Sequence, residues 1–112
     1  MANTYVNAKV DLTGNSVTTL YTCAALTTGI VKSILVSEDS GNADTITVTL
    51  TTAAGAVFSL FKTKAIGANA TTELLSQDCL VLKASEILKA QAATANRLHV
   101  VVSIQEYYTG IG

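Results

Sequence analysis

The chain has 112 residues, of which 49% are hydrophobic and 13% charged, and its formal net charge is −1. This length fits one domain with one core, so we expect a single domain over residues 1–112. A charged fraction about half the usual one quarter favours a surface covered by neighbouring subunits. Seven Lys and Arg against eight Asp and Glu give no net positive charge, which excludes nucleic acid as a partner.

The stretch between Asp11 and Lys32 carries no charge, which raises the question of a membrane span. Threonine, serine and asparagine residues interrupt it, whereas a membrane helix needs about 20 predominantly apolar residues. The N-terminal sequence Met-Ala-Asn-Thr-Tyr also lacks the basic start and apolar run of a secretory signal. We therefore expect no membrane partner and synthesis in a cytoplasm.

The N-terminal segment alternates with a period of two, which predicts a strand. Its two faces are Val6, Ala8, Val10 and Leu12 on one side and Tyr5, Asn7, Lys9 and Asp11 on the other. A turn at 11–16 follows, and residues 16–23 are rich in the β-branched side chains that suit a second strand.

The middle of the chain predicts three further strands. Residues 30–37 are the most apolar segment and predict a central strand, and a cluster of turn formers at 38–44 separates them from an alternating strand at 45–51. A short connection at 53–56 leads into residues 57–62. We expect these three strands to form a meander of adjacent neighbours.

Residues 79–92 leave two interpretations open. Leu80, Ala84, Ile87, Leu88 and Gln91 lie at helical spacing, and residues 83–93 are good helix formers, yet the leucines and alanines of this segment also alternate as in strands.

The final strand is clearer, because Leu98, Val100, Val102 and Ile104 face one way. In sum, the pattern predicts an all-β fold: a small antiparallel β-sandwich, jelly-roll-like, of about seven to nine short strands. The chain has no proline to protect its sheet edges, so we expect neighbouring subunits to cover them.

The sequence contains no catalytic, cofactor-binding or metal-binding constellation. His99 is the only histidine, and Ser103, four residues along the same strand, would lie about 13 Å away, beyond hydrogen-bond reach. We interpret His99 as a half-exposed strand residue, and we expect no enzyme activity and no cofactor.

Two further features have simple structural interpretations. Asp39, Asn42 and Asp44 surround Gly41 but lack the spacing and final glutamate of a calcium loop, so they are interpreted as residues of a hairpin turn. Cys23 and Cys79 have no CxxC or His/Cys cluster around them and are interpreted as core or near-core thiols.

The two ends of the chain are the candidate contact regions. We expect short contact tails at 1–4 and 107–112, because tyrosines at chain ends are common interface anchors. The candidate interface residues are Tyr5, Tyr107, Tyr108 and Ile111.

Over most of its length the chain resembles a family of small virion structural proteins of tailed bacteriophages. The segments that carry the resemblance are LYT at 20–22, GIVKSILV at 29–36, TITVTL at 45–50, NATTELL at 69–75, LVLK at 80–83, EILKAQA at 86–92 and LHVVVSI at 98–104. In that family, the segments corresponding to 80–83 and 86–92 look like paired strands around a Gly-Asp turn. The resemblance therefore implies two strands joined by a tight turn near Ala84-Ser85, where this chain has Ala-Ser-Glu at 84–86.

The resemblance implies a structural role in a virion, and it carries over no enzymatic residues. The most specific expectation is a capsid decoration or cement protein, a homo-oligomer and in particular a trimer, whose partners are its own copies and the major capsid protein or other virion proteins. Such a protein is made in the host cytoplasm and located in the virion. A neck, collar or tail-fibre adaptor is the alternative within structural roles, and a receptor- or carbohydrate-binding module is the alternative from another class.

Overall fold

The computed structural model describes residues 3–76 and 78–108, and all regular secondary structure in these residues is strand. The nine strands are β1 (Asn3–Leu12), β2 (Thr18–Thr22), β3 (Thr27–Glu38), β4 (Asp44–Thr51), β5 (Val57–Ile66), β6 (Thr71–Glu73), β7 (Leu80–Leu82), β8 (Ile87–Ala92) and β9 (Leu98–Tyr108). The described part of the chain contains no helix long and apolar enough to cross a membrane.

The strands form two antiparallel sheets with jelly-roll topology. Sheet A has the order β1-β9-β3-β6, with β7 also pairing with β3, and sheet B has the order β2-β8-β4-β5. β6 and β7 occupy one edge position, because β6 pairs with one end of β3 and β7 with the other. The chain passes from one sheet to the other after most strands, as a double Greek key requires. This confirms the predicted antiparallel sandwich.

The core lies between the two sheets and is built by strand alternation. Val31, Ile34 and Val36 of β3 are fully buried, and so are Ile46 and Val48 of β4. Burying a side chain of this size contributes about 1.5–3 kcal/mol relative to leaving it exposed. The inward positions of β9 agree with the predicted pattern: Leu98, Val100, Val102 and Ile104 are all at most 2% exposed.

The predicted three-stranded meander is wrong in part. β4 and β5 form a hairpin as expected, but β3 pairs with β6, β7 and β9 and lies in the other sheet from β4. The chain changes sheet after Glu38, whose carboxylate accepts the backbone N–H groups of Ser40 and Gly41 at 2.8 and 3.1 Å. These bonds organise the 38–44 segment as a crossover and not as a hairpin turn.

Residues 79–92 form strands and not a helix. β7 and β8 are joined by a tight turn in which the Glu86 N–H donates to the Lys83 carbonyl at 3.1 Å, and Ser85 has a φ of 69°. β7 pairs with β3, whereas β8 pairs with β2 and β4. The two predicted strands and their turn are therefore confirmed, but the expectation that they pair with each other is wrong.

The predicted tail boundaries also need correction. β1 begins at Asn3, inside the predicted tail 1–4, and β9 continues to Tyr108, inside the predicted tail 107–112. Both predicted tails are thus partly paired in sheet A. Asn3 of β1 pairs with Tyr107 of β9, and the same end of β9 also pairs with β3. Tyr107 and Tyr108 are thus strand residues.

The two cysteines occupy different environments. Cys23 is buried, with 1% of its surface exposed, and its Sγ lies 3.3 Å from the Thr27 carbonyl oxygen. Cys79 is exposed just before β7. The prediction of a core or near-core thiol is confirmed for Cys23 and wrong for Cys79. Cys79 precedes β7, so it lies outside the strand whose alternation places Leu82 in the core.

Candidate interaction surfaces

The outward face of sheet A brings together side chains from four strands. Tyr5 of β1 lies opposite Gln105 of β9, which lies opposite Ile30 of β3, which in turn lies opposite Val81 of β7. Directly opposite side chains in a sheet are about 5 Å apart at Cβ, so these four positions form one continuous row. Tyr5 is 73% exposed and Val81 is 51% exposed.

Tyr107 extends this row into a patch. It is two residues beyond Gln105 on β9 and therefore points to the same face, where its position makes it a diagonal neighbour of Tyr5. It remains 36% exposed. We call Tyr5, Ile30, Val81 and Tyr107 the tyrosine patch.

The structure thus brings together two of the four predicted interface residues. Tyr108 is 39% exposed but has the opposite parity along β9, so it does not belong to the tyrosine patch. Ile111 lies outside the described residues. Ile30 and Val81 were not predicted as interface residues, because the pairing of β7 with β3 carries no local sequence signal. By contrast, the first and last strands of a jelly roll are neighbours, so the predicted fold itself indicates that Tyr5 and Tyr107 lie close together.

The opposite end of the same face is polar. His99 lies opposite Asp11 of β1, with Nε2 at 3.3 Å from an Asp11 carboxylate oxygen and Nδ1 at 3.5 Å from a carboxylate oxygen of Asp39. Its side chain is 44% exposed, which confirms the half-exposed strand histidine. The contacts of His99 with these two carboxylates have no local sequence signal, because Asp11 and Asp39 lie far from His99 in the chain. This end of the face therefore differs in chemistry from the tyrosine patch.

A bulge in β3 shapes the centre of the face. The register of β3 against β9 shifts between Val31 and Ser33. Glu73 of β6 is hydrogen-bonded to the bulge: its carboxylate accepts hydrogen bonds from the Ile34 N–H at 2.8 Å and from the Ser33 hydroxyl. These bonds hold β6 against the end of β3 that lies next to His99, whereas β7 forms the edge of sheet A beside the patch.

The sandwich is closed below the patch by a contact between the sheets. The Tyr21 hydroxyl of β2 donates to the Glu106 carboxylate of β9. Burial, followed by this hydrogen bond and the negative charge of Glu106, raises the pKa of Tyr21 well above its usual value. Gly29 makes room for the ring, since a Cβ at this position would lie 3.2 Å from Tyr21 Cε2 and from its hydroxyl oxygen.

The 38–44 segment is a turn organised from its first residue. Glu38 is 2% exposed, and its carboxylate also accepts the Asn69 N–H at 3.0 Å. Burial acts to raise the pKa of Glu38, but the hydrogen bonds from Ser40, Asn69 and Gly41 outweigh it and lower the pKa to about 2.

The acidic residues of this segment point to different partners. Asp39 faces His99, while Asp44 is 7% exposed and accepts the Thr94 N–H at 3.1 Å. Within residues 3–76 and 78–108, no three His, Cys, Asp or Glu side chains are grouped so that they could hold a metal ion. The interpretation as a hairpin turn is therefore wrong: Asp39 lies in the crossover between the two sheets, and Asp44 is the first residue of β4.

Comparison with solved structures finds similar chains at low sequence identity. A protein of Bacillus endospore appendages, which form disulfide-linked pili, superposes with a TM-score of 0.59 at 7% identity, over 97% of this chain and 88% of that one. A capsid structure of Helicobacter pylori bacteriophage KHP30 gives a TM-score of 0.47 at 13% identity, over 98% and 90% of the two chains. A pentameric capsid protein from metagenomic phage sequences gives 0.45 at 17% identity, over 90% of this chain and 58% of that one.

No family model and no curated protein matches the chain. At 7% identity, the likeness to the appendage protein concerns the fold alone.

Proposed function

We propose that this chain is a structural protein of a virion, and specifically a decoration or cement subunit of a bacteriophage capsid. It acts as a homo-oligomer, a trimer, which binds the major capsid protein and stabilises the head through added subunit contacts. The observation that carries the proposal is the tyrosine patch on a sheet face of a weakly charged jelly roll, in which Tyr5, Val81 and Tyr107 are exposed and Ile30 is half-buried.

The chemistry of the patch suits a protein surface. Tyrosine combines a large apolar ring with a polar hydroxyl, and it is enriched at the centres of protein interfaces. Exposed apolar side chains that are contiguous, and not scattered singly, mark interaction sites. The sandwich below the patch is rigid, because the bulge at Ser33 is bonded to Glu73 and the Tyr21–Glu106 contact joins the two sheets. A rigid support lowers the entropic cost of binding.

The family resemblance and the fold support the same role. The segments at 29–36 and 98–104, which carry the resemblance to phage virion proteins, form the two central strands of sheet A. Double-sheet jelly rolls occur in viral capsid domains, although lectin domains and cupins also have this fold. The fold therefore accommodates the proposed role, while the patch and the resemblance favour it.

The proposal is tested by counting copies of the chain in particles. Quantitative mass spectrometry of virions, made from the genome that encodes the chain, should give hundreds of copies per particle for a decoration protein. Tens of copies would indicate a neck, collar or tail adaptor and would remove the decoration role. The absence of the chain from washed particles would contradict a virion role altogether.

A pair of matched variants tests the patch itself. Val81→Ser removes apolar surface from the patch, and Val17→Ser removes a similar side chain of 57% exposure from the segment before β2. We expect Val81→Ser to lower the copy number per particle and Val17→Ser to leave it unchanged. Equal incorporation of both variants would contradict a role for the patch, provided that circular dichroism shows both to be folded.

A further inference from the structure

We infer that β1 pairs antiparallel with β1 of a second copy around a two-fold axis, with Ala8 facing Ala8, so that the two A sheets become one continuous sheet. This inference goes beyond the virion role and does not depend on it.

β1 is the least protected edge of the two sheets. Natural sheets protect their edges by short strands, bulges, lysine or proline. In the described part of the chain, β6 and β7 have three residues each, β2 has five residues and a register shift, and β5 has two register shifts together with Lys62 and Lys64. β1 carries one lysine, Lys9, but it runs for ten residues in unbroken register with β9, and no other described strand pairs with its second side.

The inward side chains of β1 are incompletely buried. Val6, Ala8 and Val10 pack against the core but remain partly exposed. Their directly opposite partners on β9 include Val100 and Val102, which are at most 1% exposed. A strand added beside β1 would place further apolar side chains next to these three residues, because cross-strand neighbours on one face contact each other.

One register of the β1–β1 pairing fits the sequence of β1. Inward residues must face inward residues, which excludes any shift by a single position. With Ala8 facing Ala8 of the second copy, Val6 faces Val10 twice on the inner side, and Asn7 faces Lys9 twice on the outer side. A register centred on Lys9 would place two lysines directly opposite each other, and like charges in such pairs are destabilising. A register centred on Asn7 would place Val10 opposite Thr4 and lose the valine pairs.

The pairing has a consequence for the tyrosine patch. In this register the two Tyr5 residues lie six positions apart along the joined strands, or about 20 Å, and both point to the same side of the joined sheet. One dimer therefore presents two patches to one side. A contact around a two-fold axis is self-complementary and closes as a dimer. It cannot close the proposed trimer, so it would join one copy from each of two neighbouring oligomers.

Disulfide formation tests both the pairing and its register. The purified full-length chain carries Cys79→Ser, which removes the exposed thiol, and is made as three single variants at exposed, outward positions of β1: Asn7→Cys, Lys9→Cys and Asp11→Cys. The variants are oxidised alone and as an equal mixture of Asn7→Cys and Lys9→Cys. Covalent dimers are identified by intact mass under non-reducing conditions, which separates the mixed dimer from the two homodimers.

We expect the mixed dimer to exceed both homodimers severalfold, because Asn7 and Lys9 of the two copies are directly opposite. Asp11→Cys should give background levels, since its two copies lie about 20 Å apart. A mixed dimer at the Asp11→Cys background would overturn the pairing, and a dominant Asn7→Cys homodimer would overturn the register.

Sedimentation of variants without added cysteine gives a second readout. Asn7→Lys places lysines opposite each other at the proposed contact, whereas Ser59→Lys adds the same charge to the exposed edge strand β5. We expect Asn7→Lys to weaken self-association and Ser59→Lys to leave it unchanged. Equal behaviour of the two variants, or a wild-type chain that does not associate, would contradict the inference. Neither experiment uses virions, so its failure is distinct from a failure of the virion role.

Discussion

Glu38 shows how one residue can organise a crossover between the sheets. It is charged and 2% exposed, and this burial is sustained because its carboxylate accepts hydrogen bonds from Ser40, Gly41 and Asn69. A buried carboxylate that accepts several N–H groups is stabilised in its charged form. The residue therefore connects the 38–44 crossover with the loop before β6.

This arrangement predicts a specific pH dependence for Glu38→Gln. The pKa of Glu38 in the folded protein is about 2, below the value of about 4.3 in an unfolded chain. A lowered pKa means that the carboxylate contributes stability above about pH 4.3 and loses it as the pH falls toward 2. We expect Glu38→Gln to be less stable than the wild type at pH 7, with a difference that narrows between about pH 4.3 and pH 2.

Urea unfolding at a series of pH values measures this difference. The conservative control is Asp78→Asn, which removes a carboxylate from an exposed position. A difference for Glu38→Gln that stays constant from pH 7 to pH 2 would show that the carboxylate charge has no role in the crossover.

The close approach of the Tyr21 ring to Gly29 predicts that a larger residue at position 29 lowers stability. A methyl group at this position would lie 3.2 Å from the Tyr21 ring, whereas one at Gly67 would meet its nearest neighbour at 3.6 Å, an ordinary contact. We expect Gly29→Ala to lower the free energy of unfolding by about 1–3 kcal/mol, because it forces the ring away from its partner. Gly67→Ala is the matched control, and we expect it to change stability little. Thermal unfolding of both variants measures the change in stability, and equal stability of the two would contradict the close approach at Tyr21.

At the scale of elements, the turn between β7 and β8 carries local strain. Ser85 is exposed and has a φ of 69° at the third position of the turn, where a positive φ favours glycine. We expect Ser85→Gly to raise the free energy of unfolding by about 0.5–1 kcal/mol, and Ser85→Val to lower it by about 1–3 kcal/mol, because a β-branched residue tolerates this φ poorly.

Chemical denaturation of the two Ser85 variants measures both changes. The Ser85 N–H donates to the Cys23 carbonyl at 2.8 Å, and both substitutions keep this backbone bond, so the comparison isolates the effect of φ. The opposite order of stability, with valine above glycine, would contradict the turn geometry.

Strands could be predicted from the sequence, but their partners could not. The alternation of Val100, Val102 and Ile104 reports which side of a strand is apolar, and the structure agrees. It does not report which strand lies alongside, so the predicted meander placed β3 next to β4, although β3 lies in sheet A. The segment 83–93 has helical propensity in isolation, and tertiary pairing of β8 with β2 and β4 overrides it.

The same limit applies to the candidate site. Tyr5 and Tyr107 could be proposed as interface residues because tyrosines near chain ends are common anchors. Their position on one face follows only from the pairing of β1 with β9. The contribution of Ile30 and Val81 follows only from the pairing of β3 with β7. The turn that places Asp39 beside His99 is likewise a tertiary effect without a local signal.

For the whole molecule, composition and architecture lead to one account. Few charged side chains leave little repulsion between copies, the tyrosine patch offers an apolar contact on one face of sheet A, and β1 offers free backbone hydrogen-bonding groups at its edge. The central claim is that these surfaces are buried against other protein subunits in a phage particle.

Cryo-microscopy of the particle tests this claim most directly. The account predicts density for the jelly roll on the outside of the head, with Tyr5, Ile30, Val81 and Tyr107 buried against a capsid subunit or another copy of the chain. Density on the head in which these four side chains face solvent would contradict the account, and so would density confined to the portal end or missing from the particle.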